Sequence, residues 1–336
     1  MTLAASSVLL IAGTYGMARF GVGLLHPQMA AARPGLEGAL RPAGTAQFAS
    51  YCVAVLIGGQ LAQTRAASVA AGAGLCAGIG CAGLLVAQTS TTFTIAAFIA
   101  GSGAGLASPA LVPLLDRAVP ARWAAPMQSA VNSGTAIGLL MSGALVLITT
   151  GVTTPWVLIA VLCVTAGLAV WYFSPPHTPA KVPASTPADW HPVILPMLLA
   201  AAAGVVSAFV WTYGPSVIVQ DGLIAPGRIG WLWLSVGLGG LLGVFTSQLV
   251  DLTSPLVAFL LSSVGIALAT TGVAVTTQPW VAIASLAVFG AAYMTLSGVL
   301  ILWGRALRPD NGGQATAWLF LALAVGQAFG AGTIRP

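Results

Sequence analysis

Charge is what this sequence has least of. Only 5% of its 336 residues are charged, and Lys181 is the sole lysine, whereas a soluble domain carries about 25%. Stretches of about 20 residues hold no ionisable group at all, so a chain that is 58% hydrophobic cannot cover a soluble surface with polar side chains. The bilayer must be its solvent. No ten-residue alternation of apolar and polar positions runs through it, which excludes an outer-membrane barrel. Cysteine is scarce too. Cys52, Cys76, Cys81 and Cys163 all lie in apolar runs, with no spacing suited to a metal site or a disulfide framework. The three histidines and six acids are scattered over loops and helix ends. No metal or catalytic set arises from them, so the sequence reads as neither an enzyme nor a cofactor protein. The net charge of +5 comes from dispersed arginines. With no basic block, nucleic-acid binding has no basis. The opening MTLAASSVLLIAGTYGMARF lacks a basic leader and reads as an intact first span.

Glycine and proline, by contrast, are abundant, at 41 and 21 residues. Membrane helices tolerate both, because neighbouring segments re-satisfy the backbone and small residues permit close approach. A spanning length of about 20 residues places candidate helices near 3–25, 44–62, 67–88, 91–115, 125–149 and 153–173. Further candidates lie near 193–220, 229–250, 255–275, 279–304 and 313–333. The expected fold is an all-α polytopic membrane protein of about eleven helices. Between the two sets lies SPPHTPAKVPASTPADWHP, Ser174 to Pro192, whose spaced prolines predict an extended linker. The expected domains are a six-helix half over 1–174, a linker over 175–192 and a five-helix half over 193–336.

An internal repeat supports two homologous halves. One ungapped offset of 188 residues maps Gly16 onto Gly204, Pro27 onto Pro215 and Gln60-Leu61 onto Gln248-Leu249. The same offset maps Arg117-Ala118 onto Arg305-Ala306 and Gly138 onto Gly326. Applied to the sixth helix, it predicts a twelfth near 341–361, beyond the last residue here. Basic residues orient the bundle. With the N-terminus in the cytoplasm, Arg65, Arg117, Arg122, Lys181, Arg305 and Arg308 fall inside, and Arg33, Arg41, Arg228 and Arg335 outside. The linker is then cytoplasmic.

Two six-helix halves joined by a cytoplasmic linker resemble the major facilitator superfamily. That family carries a G-x-L-a-D-R-x-G pattern between helices 2 and 3, with a weaker copy between helices 8 and 9. Here the first copy reads Gly59-Gln60-Leu61-Ala62-Gln63-Thr64-Arg65-Ala66, and the second Ser247-Gln248-Leu249-Val250-Asp251-Leu252-Thr253-Ser254. The acid is lost at Gln63 and kept at Asp251. The resemblance implies that Arg65 and Asp251 serve as a conformational latch. Gly16, Arg19, Phe20 and Pro27 resemble the first helix of the YbfB/YjiJ-like branch, and GSGAGLASP from Gly101 to Pro109 resembles the superfamily's packing helices. Those glycines lack the strand, lysine and acid of a phosphate loop, so close packing explains them.

The residue that stands out is Arg19, an ionised group inside helix 1, about two turns from its expected outer end. Such a group faces a cavity or a partner, or it snorkels to the interface. Facing a cavity, it would favour an anionic substrate or the carboxylate of a zwitterion. His26 at the end of the same helix could titrate near neutral pH, or it is structural. Gln47 and Tyr51, and Gln128 and Asn132, are pairs four apart that share helix faces. Trp211 and Tyr213 on helix 7 and Tyr293 on helix 10 complete the candidate substrate or gating set. Interhelical hydrogen bonding for the amides and interface anchoring for the aromatics are the alternatives.

The expected function is secondary active transport of a small organic solute by alternating access, as an exporter or ion-coupled carrier in a bacterial inner membrane. Its rival is a non-transporting, facilitator-like sensor or partner protein. The expected partners are a small-molecule substrate and membrane lipid, with no nucleic acid, and the resemblance implies a monomer.

Overall fold

The computed structural model describes residues 2–149, 151–175, 191–308 and 312–334, and these are helical throughout apart from short turns. The expected linker falls almost wholly outside the described residues, as do Lys181 and Arg335. Among the described residues, ten helices are long and apolar enough to cross a membrane. They are α1 (Thr2–Ala32), a 47-residue helix Leu40–Val86, α4 (Ser90–Ala118), α5 (Arg122–Ile148) and α6 (Thr153–Phe173). After the linker come α7 (His191–Thr212), α8 (Gly230–Leu252), α9 (Pro255–Val275), α10 (Pro279–Leu307) and α11 (Gly312–Thr333).

The 47-residue helix is two legs. Arg65, at φ −137° and ψ 38°, breaks its helical geometry, and contacts on either side show that the chain reverses there. Before the break, Gln47 and Ser50 meet Gly101, Tyr51 and Ala54 meet Gly105, and Pro109 meets Gly58. This leg (α2, 40–64) therefore runs parallel to α4. After the break, Ala73 and Ala77 meet Gly103, Ala100 meets Gly80, and Ala96 meets Gly83. That leg (α3, 66–86) runs antiparallel to the same helix. Eleven spanning legs result, as the apolar run lengths predict.

Missing side chains set how closely the legs approach. A Cβ added to Gly16 in α1 would lie 2.5 Å from the Thr135 carbonyl oxygen of α5 and 2.6 Å from Gly138 Cα. The equivalent seam recurs in the second half, where a Cβ on Gly204 in α7 would strike the Leu323 carbonyl of α11. Thr135 and Leu323 are themselves 188 apart. Seams also join the halves to each other. Gly143 of α5 meets Gly230 and Leu234 of α8, Gly23 of α1 meets the Trp211 carbonyl, and Gly44 of α2 meets Thr212 and Ala331. In a bilayer, where lipid is as apolar as leucine, such close packing drives helix association.

The legs differ in burial. In α1, 89% of the apolar window is buried, against 33% in α6 and in α9. Exposed Val157, Leu158 and Val161 on α6, and Leu256, Leu260, Leu261, Val264 and Leu268 on α9, supply the lipid-facing surface. Helix α1 forms the axis of the bundle. It extends to Ala32, beyond the expected end at residue 25, because His26, Pro27 and Gln28 continue the helix. Arg19 therefore lies not two turns but about 20 Å of helical rise from that end, near the middle of the span. Its segment Ala12–Arg19 is π-helical, a conformation that concentrates at functional sites.

Gly80→Val places side-chain atoms against the Ala100 backbone. It should lower the melting temperature of the purified protein, at a cost of about 1–3 kcal/mol from overpacking. Gly72 has open space around its Cβ position, so Gly72→Ala should leave the melting temperature unchanged or raise it. Equal losses in the two variants would contradict the seam.

Candidate functional site

Arg19 is only 4% exposed. Its guanidinium carbon lies 4.2 Å from the Tyr51 ring centroid and 4.9 Å from that of Phe48, both on α2, with Phe20 at 5.4 Å and Tyr15 at 5.6 Å. Four π-faces thus surround a permanent cation. Its Nη2 donates to Gln327 Oε1 on α11 at 3.0 Å, while Nε is buried without a hydrogen-bond partner. No carboxylate pairs with it among the described residues. A buried cation held by an amide and aromatic rings, without a counter-ion, is a costly arrangement that marks a site.

The partner amide is itself held. Gln327 Nε2 donates to Tyr293 Oη on α10 at 2.8 Å and to Ser207 Oγ on α7 at 3.4 Å. Because Arg19 can only donate, this network fixes the orientation of the amide. On the other side of the cation, Tyr15 Oη donates to Tyr51 Oη at 3.0 Å and shares a short hydrogen bond with Ser108 Oγ on α4. The chain Ser108–Tyr15–Tyr51 belongs to the first half and Gln327–Tyr293–Ser207 to the second, and Arg19 joins them.

A chamber of about 60 Å³ lies against this cluster. Arg19, Tyr51, Gln128, Asn132 and Tyr293 from the expected set line it, together with Tyr15, Phe20, Ser108, Thr135 and Gln327. The chamber shares Val55, Pro109, Val112, Gln128, Ile301, Thr316 and Ala317 with a vestibule of about 510 Å³. Gln60, Gln63, Asp116 and Arg305, at the ends of α2, α4 and α10, line the vestibule and place its mouth on the face that carries the Arg65 turn. Gln128 Oε1, which is buried and unpartnered, stands where the two spaces join.

The opposite side is sealed. The Phe20 ring stacks on Trp211 with centroids 3.7 Å apart and planes at 14°, and Trp211 meets Tyr293, Phe289 and Trp233 edge-on at 5.0, 5.1 and 6.0 Å. Beyond them, Tyr213 Oη donates to the Ala331 carbonyl, and Arg41 Nε donates to the Gly332 carbonyl at 2.9 Å. Trp211 and Tyr213 therefore form the seal and do not line the chamber, which puts them on the gating side of the expected substrate or gating set. Gln47 also turns away, its Nε2 reaching the Ala18 carbonyl at 3.5 Å. His26 lies outside the chamber as well, with Nε2 2.9 Å from the Leu36 carbonyl oxygen.

Arg65 and Asp251 are both exposed, and no ion pair forms at either among the described residues. The ion pair that crosses the mouth is instead Arg305–Asp116, with Nη2 to Oδ1 at 3.7 Å, joining α10 to α4. The residues that sequence reasoning missed are Gln327, Tyr15 and Ser108. Gln327 had a legible signal, as a lone amide in the apolar run LFLALAVGQAFGAG. Tyr15 is four residues before Arg19 and shares its helix face.

A helical bundle whose described residues enclose a cavity that opens toward the Arg65 face, with polar groups at its centre, is the build of a membrane carrier. This chain belongs to the major facilitator superfamily, whose profile matches residues 2–331. Among solved structures it is similar to a D-xylose–proton symporter (18% identity, TM-score 0.72), covering 99% of this chain and 88% of that one. It is similar to the nucleoside transporter NupG at 12% identity and TM-score 0.73, covering 98% and 90%. It is also similar to the human organic anion transporter MFSD10 at 13% identity and TM-score 0.71, covering 98% and 91%. At these identities the likeness shows the shared fold. No curated protein matches the chain. Family and fold define a multi-pass membrane transporter and not an enzyme.

Truncating the seal by Trp211→Ala should cost about 3–5 kcal/mol, as large aromatic deletions in cores do, and lower the melting temperature markedly. Asp116→Asn breaks an ion pair whose side chains are 34% and 39% exposed. It should change stability by less than about 1 kcal/mol. Thermal melts of both variants check the contrast.

Proposed function

We propose that this protein is a secondary active carrier for a small organic solute with a negatively charged group. In this reading two homologous halves, 1–174 and 193–336, rock about the Arg19 chamber and expose it to each face in turn. The observation that carries the proposal is the buried guanidinium, without a counter-ion among the described residues, at the inner end of a cavity that opens toward the Arg65 face. An incoming anion would supply the missing charge. Aromatic faces and the Gln128 and Asn132 amides would orient its body. Gly16, Arg19, Phe20 and Pro27 support assignment to the YbfB/YjiJ-like branch. We place the protein as a monomer in a bacterial inner membrane, in contact with lipid, with its N-terminus in the cytoplasm. Arg65, Arg117, Arg122, Arg305 and Arg308 at one face, against Arg33, Arg41 and Arg228 at the other, support that orientation. The open mouth then faces the cytoplasm.

Uptake of a panel of radiolabelled organic anions and neutral metabolites into proteoliposomes tests the proposal. The protein should show saturable, protein-dependent uptake of at least one anion. Arg19→Ala, folded by the criterion of its melting temperature, should reduce that uptake at least tenfold. If the well-folded protein moves no solute, the carrier reading is overturned in favour of a sensor or partner role.

A further inference from the structure

Gln327 holds the place at Arg19 that a ligand would take. A guanidinium presents Nε–H and Nη2–H side by side, and Arg41 shows this edge in use, with both nitrogens donating to the Gly332 carbonyl. At Arg19 the edge is half filled. Nη2 donates to Gln327 Oε1, while the adjacent Nε is buried and has no partner among the described residues. A carboxylate has two oxygens at the spacing of that edge, and a primary amide has one. Fork-to-fork pairing with a carboxylate would satisfy Nε and replace a neutral acceptor by a charged one, with hydrogen bonds about twice as strong.

We propose that Gln327 is an internal surrogate for the substrate's carboxylate, and that the substrate is an amphipathic monocarboxylate that displaces it. This rests on the carrier reading of the same chamber. Three features select the class. The chamber lining contains one cation and no acid, so a second carboxylate would find no partner there and an α-ammonium group would find no counter-charge. A space of about 60 Å³ holds about four waters, enough for a carboxylate and a short stem. The rest of the molecule must extend toward the vestibule, past Val55, Val112, Ile301 and Phe320, which are apolar. Displacing Gln327 also breaks the hydrogen bond between α1 and α11, so binding the head group undoes one of the contacts that tie the two halves at the cavity's inner end, the other being the Phe20–Trp211 stack.

Benzoate serves as the probe. Its binding to the purified full chain in detergent is measured by calorimetry, with succinate, phenylalanine and benzamide as comparisons. Benzoate should bind at least tenfold tighter than each of the three. Gln327→Glu sets a permanent carboxylate on the Arg19 edge in the same shape. It should keep or raise the melting temperature and weaken benzoate at least tenfold. Gln327→Leu removes the surrogate at similar volume and should tighten benzoate about threefold or more. If Gln327→Leu does not fold, the Gln327→Glu arm decides alone. A merely structural Gln327 would leave benzoate affinity unchanged in folded Gln327→Glu, and that result overturns the proposal. Equal binding of succinate or benzamide overturns it too. Neutral solutes taken up while benzoate fails to bind would sink this inference and leave the carrier standing. Benzoate bound without transport of any solute would do the reverse.

Discussion

The structure depends on keeping one cation out of water and away from any acid. Arg19 is 4% exposed in the middle of the most buried helix. Lipid could not hold it there, so protein must surround it. Tyr51, Phe48, Phe20 and Tyr15 present their rings, and one amide from the far end of the sequence presents its oxygen. The close helix seams serve this requirement. Gly16 and Gly138 let α5 press against the π-helical turn that carries Tyr15 and Arg19, and Gly101 and Gly105 let α4 reach α2 behind Tyr51. Larger residues at those points would hold the helices too far apart for the rings and the guanidinium to meet.

The cation also explains how the two halves are joined. Their seams at α5–α8 and α2–α11 are built from small residues and backbone, which give proximity without strong directional bonds. At the centre the link is a single hydrogen bond from Arg19 to Gln327, beside the stacked pair of Phe20 and Trp211. At the mouth it is a half-exposed ion pair. Interfaces of this kind can be exchanged for an alternative set at modest cost, which alternating access requires.

Much of the fold was legible because a bilayer fixes helix length, and long uncharged runs reveal it. The turn between α2 and α3, the single residue Arg65, was legible because Gln63, Thr64 and Arg65 interrupt the apolar run. The end of α1 was not, because the helix continues through His26 and Pro27 despite their polarity and shape. Within the site, Arg19, Tyr51, Gln128, Asn132 and Tyr293 could be read from their polarity alone. Gln47 could not be separated from Tyr51, because residues four apart share a helix face although only one points into the chamber. Trp211 and Tyr213 lie at the right depth but close the cavity, and depth along a helix does not tell lining from seal. Gln327 required pairing positions 308 residues apart, which helical periodicity cannot do.

The one-sided vestibule has an electrical consequence. Solution filling its 510 Å³ would carry the potential of the open face toward Arg19, so that more of the membrane voltage would fall across the layer sealed by Phe20 and Trp211. Arg19 stands at the edge of that layer. A unit charge carried across the full drop exchanges about 2.3 kcal/mol per 100 mV with the field. Any rearrangement that moves the seal from one side of Arg19 to the other therefore shifts the guanidinium through much of the voltage without moving it far through space. Were an anion to bind Arg19 as proposed, the neutral complex would make the same passage with no electrical work, and the empty and loaded forms would answer differently to membrane potential.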